Sequence, residues 1–471
     1  MSLRNAAQSE GRALSTGLSV SATFFPPAPG SAPAPALPAE GDAVDTAAAS
    51  GAALRLRRLD ALAVHRRILM LQGPNGPFFY RLARRLQASG ADVTKVHFHA
   101  GDALFWPRRG AIHYRATSEQ WPRFLEELVA ARRIEAILLF GQFRPQHIAA
   151  IRLARRHGIA IHVFEEGYIR PWWITLERDG VNAHSPLTAI DPNDLPQVPE
   201  TAPPVQFRFA YTKMAAYSFL YFLAGRVFRS AYPHYVHHHP FRYRMVLPWL
   251  RSGLRKLLYR LTERRTQQWL LGPASGAYFL VPLQLQSDSQ LRFHSGLSCN
   301  TEFIATVITS FAAHAPADAH LVFKHHPMER GHTHYGAAIG EIAAAHGISD
   351  RVRYIHDGHL PSLLANARGV VVVNSTTGLQ AMHHGTPVHL CGRAFYARPE
   401  LVSLGPLDGF WTRPIAAPRE LTRRFLDVVL DRSQVNASFY VDGGLSDLPS
   451  RVPHGDPTAS ALSGMPRVPD A

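Results

Sequence analysis

Cysteine is nearly absent: Cys299 and Cys391 are the only two in 471 residues. That excludes a disulfide-stapled secreted scaffold and a cysteine-built zinc site, and it fits a reducing cytoplasm. Long apolar runs are missing too. The nearest approach, Ala215 to Gly225, stops at Arg226, well short of the ~20 residues a spanning helix needs. No compact apolar stretch follows Arg4, so no secretory signal is expected. No G-x-G-x-x-G stands after the first strand-like run, which argues against a dinucleotide. No aspartate-rich metal motif is evident, and no metal is expected. Acidic residues are scarce, 35 Asp and Glu against 50 Lys and Arg, for a formal net charge of +15. Such an excess attracts phosphates, whether nucleotides, nucleic acid or an anionic membrane leaflet.

What is present is a globular chain, 46% hydrophobic and 18% charged, long enough for two or three domains. Residues 1–63 are rich in Ala, Pro, Gly and Ser and read as a disordered tail. Residues 64–200 alternate strand and helix signals: strands at Arg67–Leu71, Asp92–Phe98, Ala136–Phe140 and Ile159–Phe164, helices at Phe78–Ala88, Trp121–Arg132 and His147–His157. Alternation of this kind predicts a parallel, Rossmann-like sheet whose ligands bind at the carboxyl ends of the strands. Three polar junctions fall there: Gln72-Gly73-Pro74-Asn75, Gln142-Phe143-Arg144, and Glu165-Glu166-Gly167 running to Arg170. Gly73 and Asn75 belong either to a tight turn or to a ligand contact. The paired acids are either a catalytic loop or a strand end with an Arg170–Glu ion pair; strand alternation sends Glu165 and Glu166 to opposite sides.

Residues 201–274 differ in kind. Between Val205 and Leu271 stand twelve Lys and Arg against one acid, Glu263, which gives +11 of the net +15. Aromatic residues from Tyr211 to Trp269 are interleaved with them. Basic, aromatic helices suit an anionic membrane surface; a helical core with a solvated basic face and a single-stranded nucleic-acid groove are the competing readings. His234, His237, His238 and His239 lack an acidic or cysteine partner nearby, which speaks against a metal centre.

Residues 275–432 alternate again, with Val370–Val373 the clearest strand, and predict a second Rossmann-like half. Residues 433–471 read as a loose tail. In this half Lys324-His325-His326-Pro327 follows one strand and Asn374-Ser375-Thr376-Thr377-Gly378 another. The second stretch offers backbone N–H groups at a helix start and three hydroxyls, an anion site in excess of what a simple N-cap by Ser375 or Thr376 needs.

Taken together, Glu165-Glu166-Gly167, His326-Pro327 and Ser375-Thr376 resemble the signature of bacterial glycosyltransferases that use CMP-activated keto-acid sugars. With Gln72-Gly73-Pro74, Phe164–Pro171, Trp173–Glu177, Lys324–Pro327 and Asn374–Gly378, the chain is similar, over roughly Ile68 to Leu430, to the capsule polysaccharide biosynthesis and export family of the KpsS/LipB type. The resemblance implies a GT-B-like architecture, two Rossmann-like domains with the basic aromatic insertion between them. It also implies a retaining β-Kdo transferase that takes CMP-Kdo as donor and a phosphatidylglycerol-type lipid as acceptor. On this reading Glu166, with Glu165, is the catalytic acid, as nucleophile or general base. Lys324, His326, Pro327 and Asn374 to Gly378 hold the CMP phosphate. Gln72, Gly73, Asn75, Gln142, Arg144 and Arg170 face acceptor or sugar. No cofactor beyond the donor is implied. The expected partners are the CMP-sugar, the anionic phospholipid acceptor, the cytoplasmic face of the inner membrane and other capsule assembly or export proteins, not nucleic acid. A non-enzymatic export or assembly factor and a GT-B enzyme using a UDP-sugar are the rivals.

Overall fold

The computed structural model describes residues 59, 61–107, 109–199, 204–235, 246–285 and 299–442, with the backbone alone at 246–250. His237, His238 and His239 lie outside the described residues, as do most of the N-terminal tail and everything past 442. In the first half, the order is β1 (Arg67–Met70), α1 (Phe78–Ala88), β2 (Asp92–His97), α2 (Ala100–Leu104), β3 (Ile112–His113), α3 (Trp121–Arg132), β4 (Ala136–Phe140), α4 (Pro145–His157), β5 (Ala160–Glu166) and β6 (Ile174–Arg178). The basic stretch forms α5 (Ala210–Val227), α6 (Val246–Thr262) and α7 (Arg264–Leu270). The second half runs β7 (Tyr278–Pro282), α8 (Asn300–His314), β8 (His320–Lys324), α9 (Gly336–Ala345), β9 (Val352–Ile355), α10 (Leu360–Ala365), β10 (Gly369–Val372), α11 (Thr377–His383) and β11 (Val388–Leu390); α12 (Arg419–Ser433) and β12 (Gln434–Val435) follow.

Two sheets result, β12-β6-β5-β4-β1-β2-β3 and β11-β10-β7-β8-β9. The second is parallel throughout. In the first, β1 to β5 pair in parallel, whereas β6 runs antiparallel to β5 and to β12. The fold is α/β with two Rossmann-like halves and a helical insertion, as expected. Strands such as Ala136–Phe140, buried at every position, are apolar on both sides because helices cover both faces of the sheet. One core face of the first sheet (Leu69, Ile137, Val163) continues into that of the second (Leu280, Val370, Val372) as a single apolar cluster.

The ends of the ordered chain depart from expectation. Leu59 and Leu62, assigned to the disordered tail, are buried against the first sheet. More consequential is the stretch after Ser433, expected to be a loose tail of the second half. Residues 434–442 instead return to the first domain. Gln434 and Val435 pair with Thr175 and Ile174, Asn436 Nδ2 donates to the Trp172 carbonyl at 2.8 Å, and Phe439 and Tyr440 are buried with Phe78, Phe140 and Phe164. Apolar burial and satisfied backbone groups outweigh the local turn-forming composition here.

Candidate functional site

The acidic strand end is fixed by its neighbours. Glu165 and Glu166 occupy the last two positions of β5, opposite Thr175 and Ile174 of β6, and both are 4% exposed. Alternation separates them as expected. Ile161 and Val163 share a core face with β4 and the second domain, while Ala160 and Phe164 belong to the other face with Phe439 and Tyr440. Glu166 follows the second set: its Oε1 accepts from the Tyr440 hydroxyl at 3.3 Å. Burial pushes the Glu166 carboxyl up, and the Arg170 charge, then the Tyr440 hydroxyl, pull it back down.

Gly167 is required for space rather than for its backbone freedom. A Cβ there would collide with the Trp173 carbonyl, because β5 and β6 are joined by a loop that folds tightly on itself. Its exit is clamped by Tyr168, whose N–H donates to Gln434 Oε1 at 2.9 Å and whose hydroxyl donates to Glu177 Oε2 at 2.7 Å. Arg170 Nε donates to the Gly167 carbonyl at 3.0 Å.

Across the interface, His326 follows β8. Its Nδ1 accepts from the Met328 N–H at 3.3 Å, so Nε2 is the atom left to meet a ligand. Burial, followed by the charges of Lys324, His325, Arg170 and Arg330, pushes the imidazole down to about 3. The charge of Arg170 is thus felt both by Glu166, near it in the first domain, and by His326 of the second domain. Lys324 is enclosed at 4% exposure; burial and then Arg330 lower it to about 8 against the opposing carboxylates of Asp357 and Glu263.

The Ser/Thr loop lies beside the same interface. Ser375 Oγ accepts from the Thr377 N–H at 3.1 Å, and Asn374 Oδ1 accepts from Gln284 Nε2 at 3.0 Å. The Tyr396 hydroxyl donates to the Ser375 carbonyl. A Cβ at Gly378 would stand 2.5 Å from that hydroxyl, so glycine is what lets Tyr396 reach under the loop. Phe395, next in the chain, lies against Tyr168 with ring centroids 4.7 Å apart. The Phe395-Tyr396 dipeptide thus bridges the acidic loop and the Ser/Thr loop, Phe395 through its ring and Tyr396 through its hydroxyl.

The remaining rim residues fall out differently. Gln72, expected to face sugar or acceptor, is 1% exposed and donates through Nε2 to the hydroxyls of Tyr221 at 2.8 Å and Tyr235 at 3.0 Å. Tyr221 in turn donates to Asp102 Oδ1 at 2.9 Å. Burial raises the Asp102 carboxyl, but Lys95, His99 and His97 with the Phe98 N–H more than offset it, so it ends below its usual value. Arg144 is buried and sits over the Phe140 ring, its charge felt by Tyr221 and Tyr235. Gln142 Nε2 donates to the Val181 carbonyl at 3.0 Å, and Asn75 Nδ2 to Ser218 Oγ at 3.4 Å. In this structure Gln72 and Asn75 fasten the basic insertion to the first sheet, and Gln142 ties the end of β4 to Val181. A small pocket, roomy enough for about a water molecule, remains beside them, lined by Gly73, Pro74, Phe79, Lys95 and Trp106 among others.

Two groups near these loops had no role in the sequence reading, Tyr440 and the cluster of Tyr354 and His356 around His325. Tyr440 had no signal beyond an aromatic pair ahead of a glycine-rich tail. His325 and His356 had one, since they follow β8 and β9 directly, while Tyr354 lies within β9. His325 Nδ1 lies 2.6 Å from the Tyr354 hydroxyl, and burial pushes its imidazole down to about 3.

Comparison with known proteins adds the following. A family described as "Capsule polysaccharide biosynthesis protein" matches residues 135–440. The chain is 38% identical over 384 residues to the capsule polysaccharide modification protein LipB of Neisseria meningitidis serogroup B, covering 79% of this chain and 91% of that one. It is 36% identical over 385 residues to the capsule polysaccharide export protein KpsS of Escherichia coli, covering 81% and 99%. Among solved structures, the β-Kdo 2,7 transferase KpsC of Thermosulfurimonas dismutans aligns with a TM-score of 0.37 at 16% identity, over 78% of this chain and 89% of that chain.

Proposed function

This chain belongs to the capsule polysaccharide biosynthesis family, and on that premise we propose that it is a retaining β-Kdo transferase. It takes Kdo from CMP-Kdo and places it on a phosphatidylglycerol-type lipid at the cytoplasmic face of the inner membrane. The observation that carries the reading is the link between the acidic loop of one half and the Ser/Thr loop of the other, Tyr168 lying against Phe395 while Tyr396 donates to the Ser375 carbonyl, with the Arg170 charge felt by both Glu166 and His326. A glycosyl transfer needs this pairing: a carboxylate at the anomeric carbon and polar donors around a departing phosphate.

Glu166 is the carboxylate at the anomeric carbon and must be ionised to act, as nucleophile or as base. Arg170 and Tyr440 favour that form. His326, through Nε2, and the Ser375-Thr376-Thr377 hydroxyls with their N–H groups receive the CMP phosphate, and Lys324 adds positive potential behind them. As nucleophile, Glu166 bonds to the anomeric carbon while the bond to CMP breaks and its electron pair leaves with the already charged phosphate; the acceptor oxygen then displaces Glu166, which retains the configuration, and the acceptor's proton passes to the released phosphate. Glu165, on the opposite side of β5, supports the loop: its Oε1 accepts from the Glu166 N–H at 3.3 Å.

The test is incubation of the purified full chain with CMP-Kdo and a short-chain phosphatidylglycerol, followed by mass spectrometry of the lipid and identification of the released nucleotide. One added Kdo with CMP released supports the proposal. Turnover only with a UDP-sugar, or lipid binding with no transfer from any donor, refutes it in favour of the rival readings.

A further inference from the structure

The basic insertion has two faces that do different things. On one side of α6, Arg255 Nη1 donates to the Arg330 carbonyl at 2.7 Å, and Tyr259 stacks on His356 with ring centroids 3.9 Å apart. Four residues on, Glu263 accepts from the His356 N–H, from the Asp357 N–H at 2.9 Å and lies 2.7 Å from His356 Nδ1. The only acid of the stretch is therefore spent on bolting the helix to the second domain. Residues 255, 259 and 263 recur every fourth position and define this inner face.

The other side carries Leu254, Leu257, Leu258 and Leu261, which are 69%, 63%, 53% and 75% exposed. An apolar stripe at this spacing is what a soluble helix turns toward its core; here the core-facing work is done by Arg255, Tyr259 and Glu263, and the leucines point outward. Arg251, Lys256, Arg260, Arg264 and Arg265 are exposed around them. The preceding helix repeats the arrangement. Tyr217, Ser218 and Tyr221 of α5 face the first sheet, leaving Phe219, Leu223 and Val227 exposed on the far side. Among the described residues, no helix is long and apolar enough to cross a membrane.

We propose that the leucine stripe of α6, with its collar of arginine and lysine and the exposed face of α5, is the surface by which this protein docks on an anionic lipid bilayer. Leucines held outward by a rigid inner face enter the acyl boundary, and the basic collar meets lipid phosphates. Charge complementarity selects this occupant: a second copy, itself at +15, is repelled by the basic collar, whereas an anionic bilayer offers phosphates to the arginines and lysines and an acyl layer to the leucines together. The proposal rests on the reading above only for the purpose of docking, since binding itself requires neither donor nor transfer.

The experiment is flotation of the full-length protein with vesicles of phosphatidylcholine alone or with one part phosphatidylglycerol to two of phosphatidylcholine, without any sugar nucleotide. Wild type floats with the anionic vesicles and stays behind with the neutral ones. Leu257→Asp/Leu261→Asp lowers the vesicle partition coefficient at least about tenfold, and Lys256→Glu/Arg260→Glu lowers it by a similar factor, more strongly at low salt. Both variants keep the wild-type unfolding midpoint, since the four side chains are exposed. Equal flotation with neutral vesicles, or unchanged flotation of the leucine variant, overturns the proposal. So does a wild type that is dimeric in light scattering and becomes monomeric in the leucine variant, which would assign the stripe to a second copy. Because no donor is present, failure to float leaves the transferase reading standing, and failure to transfer leaves the docking result standing.

Discussion

Replacing Tyr440 by Phe removes one hydroxyl and leaves the ring in its aromatic cluster. The lost bond is the one from the hydroxyl to Glu166 Oε1 at 3.3 Å. That distance is longer than the 2.5–2.7 Å of the strongest O–H···O⁻ bonds, so the contribution falls at the low end of the range for bonds to charged groups, about 1.5 kcal/mol. At 1.36 kcal/mol per pK unit this corresponds to about one unit. The hydroxyl donates to the ionised form, so its removal raises the Glu166 carboxyl further above its ordinary value. The acidic limb of the kcat/KM profile for CMP release then moves up by about one unit, and the rate on the alkaline side of that limb stays within about twofold. Arg170→Met moves the limb further in the same direction, because the guanidinium is the larger of the two stabilising influences. Initial rates measured from about pH 5 to pH 9 decide the matter. An acidic limb that stays in place or moves down in the folded Tyr440→Phe protein refutes the assignment of Glu166 as the ionised catalytic group.

Two further outcomes follow from the same geometry. Gly378→Ala drives a methyl into the Tyr396 hydroxyl, costs about 1–3 kcal/mol of stability and weakens CMP affinity at least about tenfold in calorimetric titration; unchanged affinity would separate this loop from the nucleotide. Burial pushes His147 and His162 down to about 3, whereas unfolded histidine titrates near 6.5. Their contribution is complete above about pH 6.5 and is lost as the pH falls toward 3, by about 2 kcal/mol each at pH 5. The urea midpoint therefore drops steeply between about pH 6.5 and pH 5, and a flat midpoint would contradict the buried, neutral placement of these rings.

Much of this architecture is legible in the sequence, for a physical reason. Parallel strands covered on both faces must be apolar throughout, so Ala136–Phe140 and Val370–Val373 announce themselves, and the loops at their carboxyl ends locate Gln142, Asn374 and Ser375. The antiparallel edge is not legible. The short β6 carries Thr175, Glu177 and Arg178, and β12 is only two residues long, its pairing depending on a chain reversal across both domains. Tyr440 is invisible for the same cause: it meets Glu166 from 274 positions away. Gln72 shows the converse. Its position at a strand end is plain, but its role is set by Asp102, Tyr221 and Tyr235, three partners from three segments that only the fold assembles. The lone Glu263 in a stretch of +11 was visible from the start. Its meaning, an anchor to His356 and Asp357, required the second domain.

The most direct test of the central claim compares wild type with Glu166→Gln, a near-isosteric change, by mass spectrometry of the lipid after incubation with CMP-Kdo and short-chain phosphatidylglycerol. The account predicts a single added Kdo with wild type, and none with Glu166→Gln despite unchanged CMP binding and vesicle flotation. Equal product from both proteins would remove Glu166 from the chemistry and contradict the account.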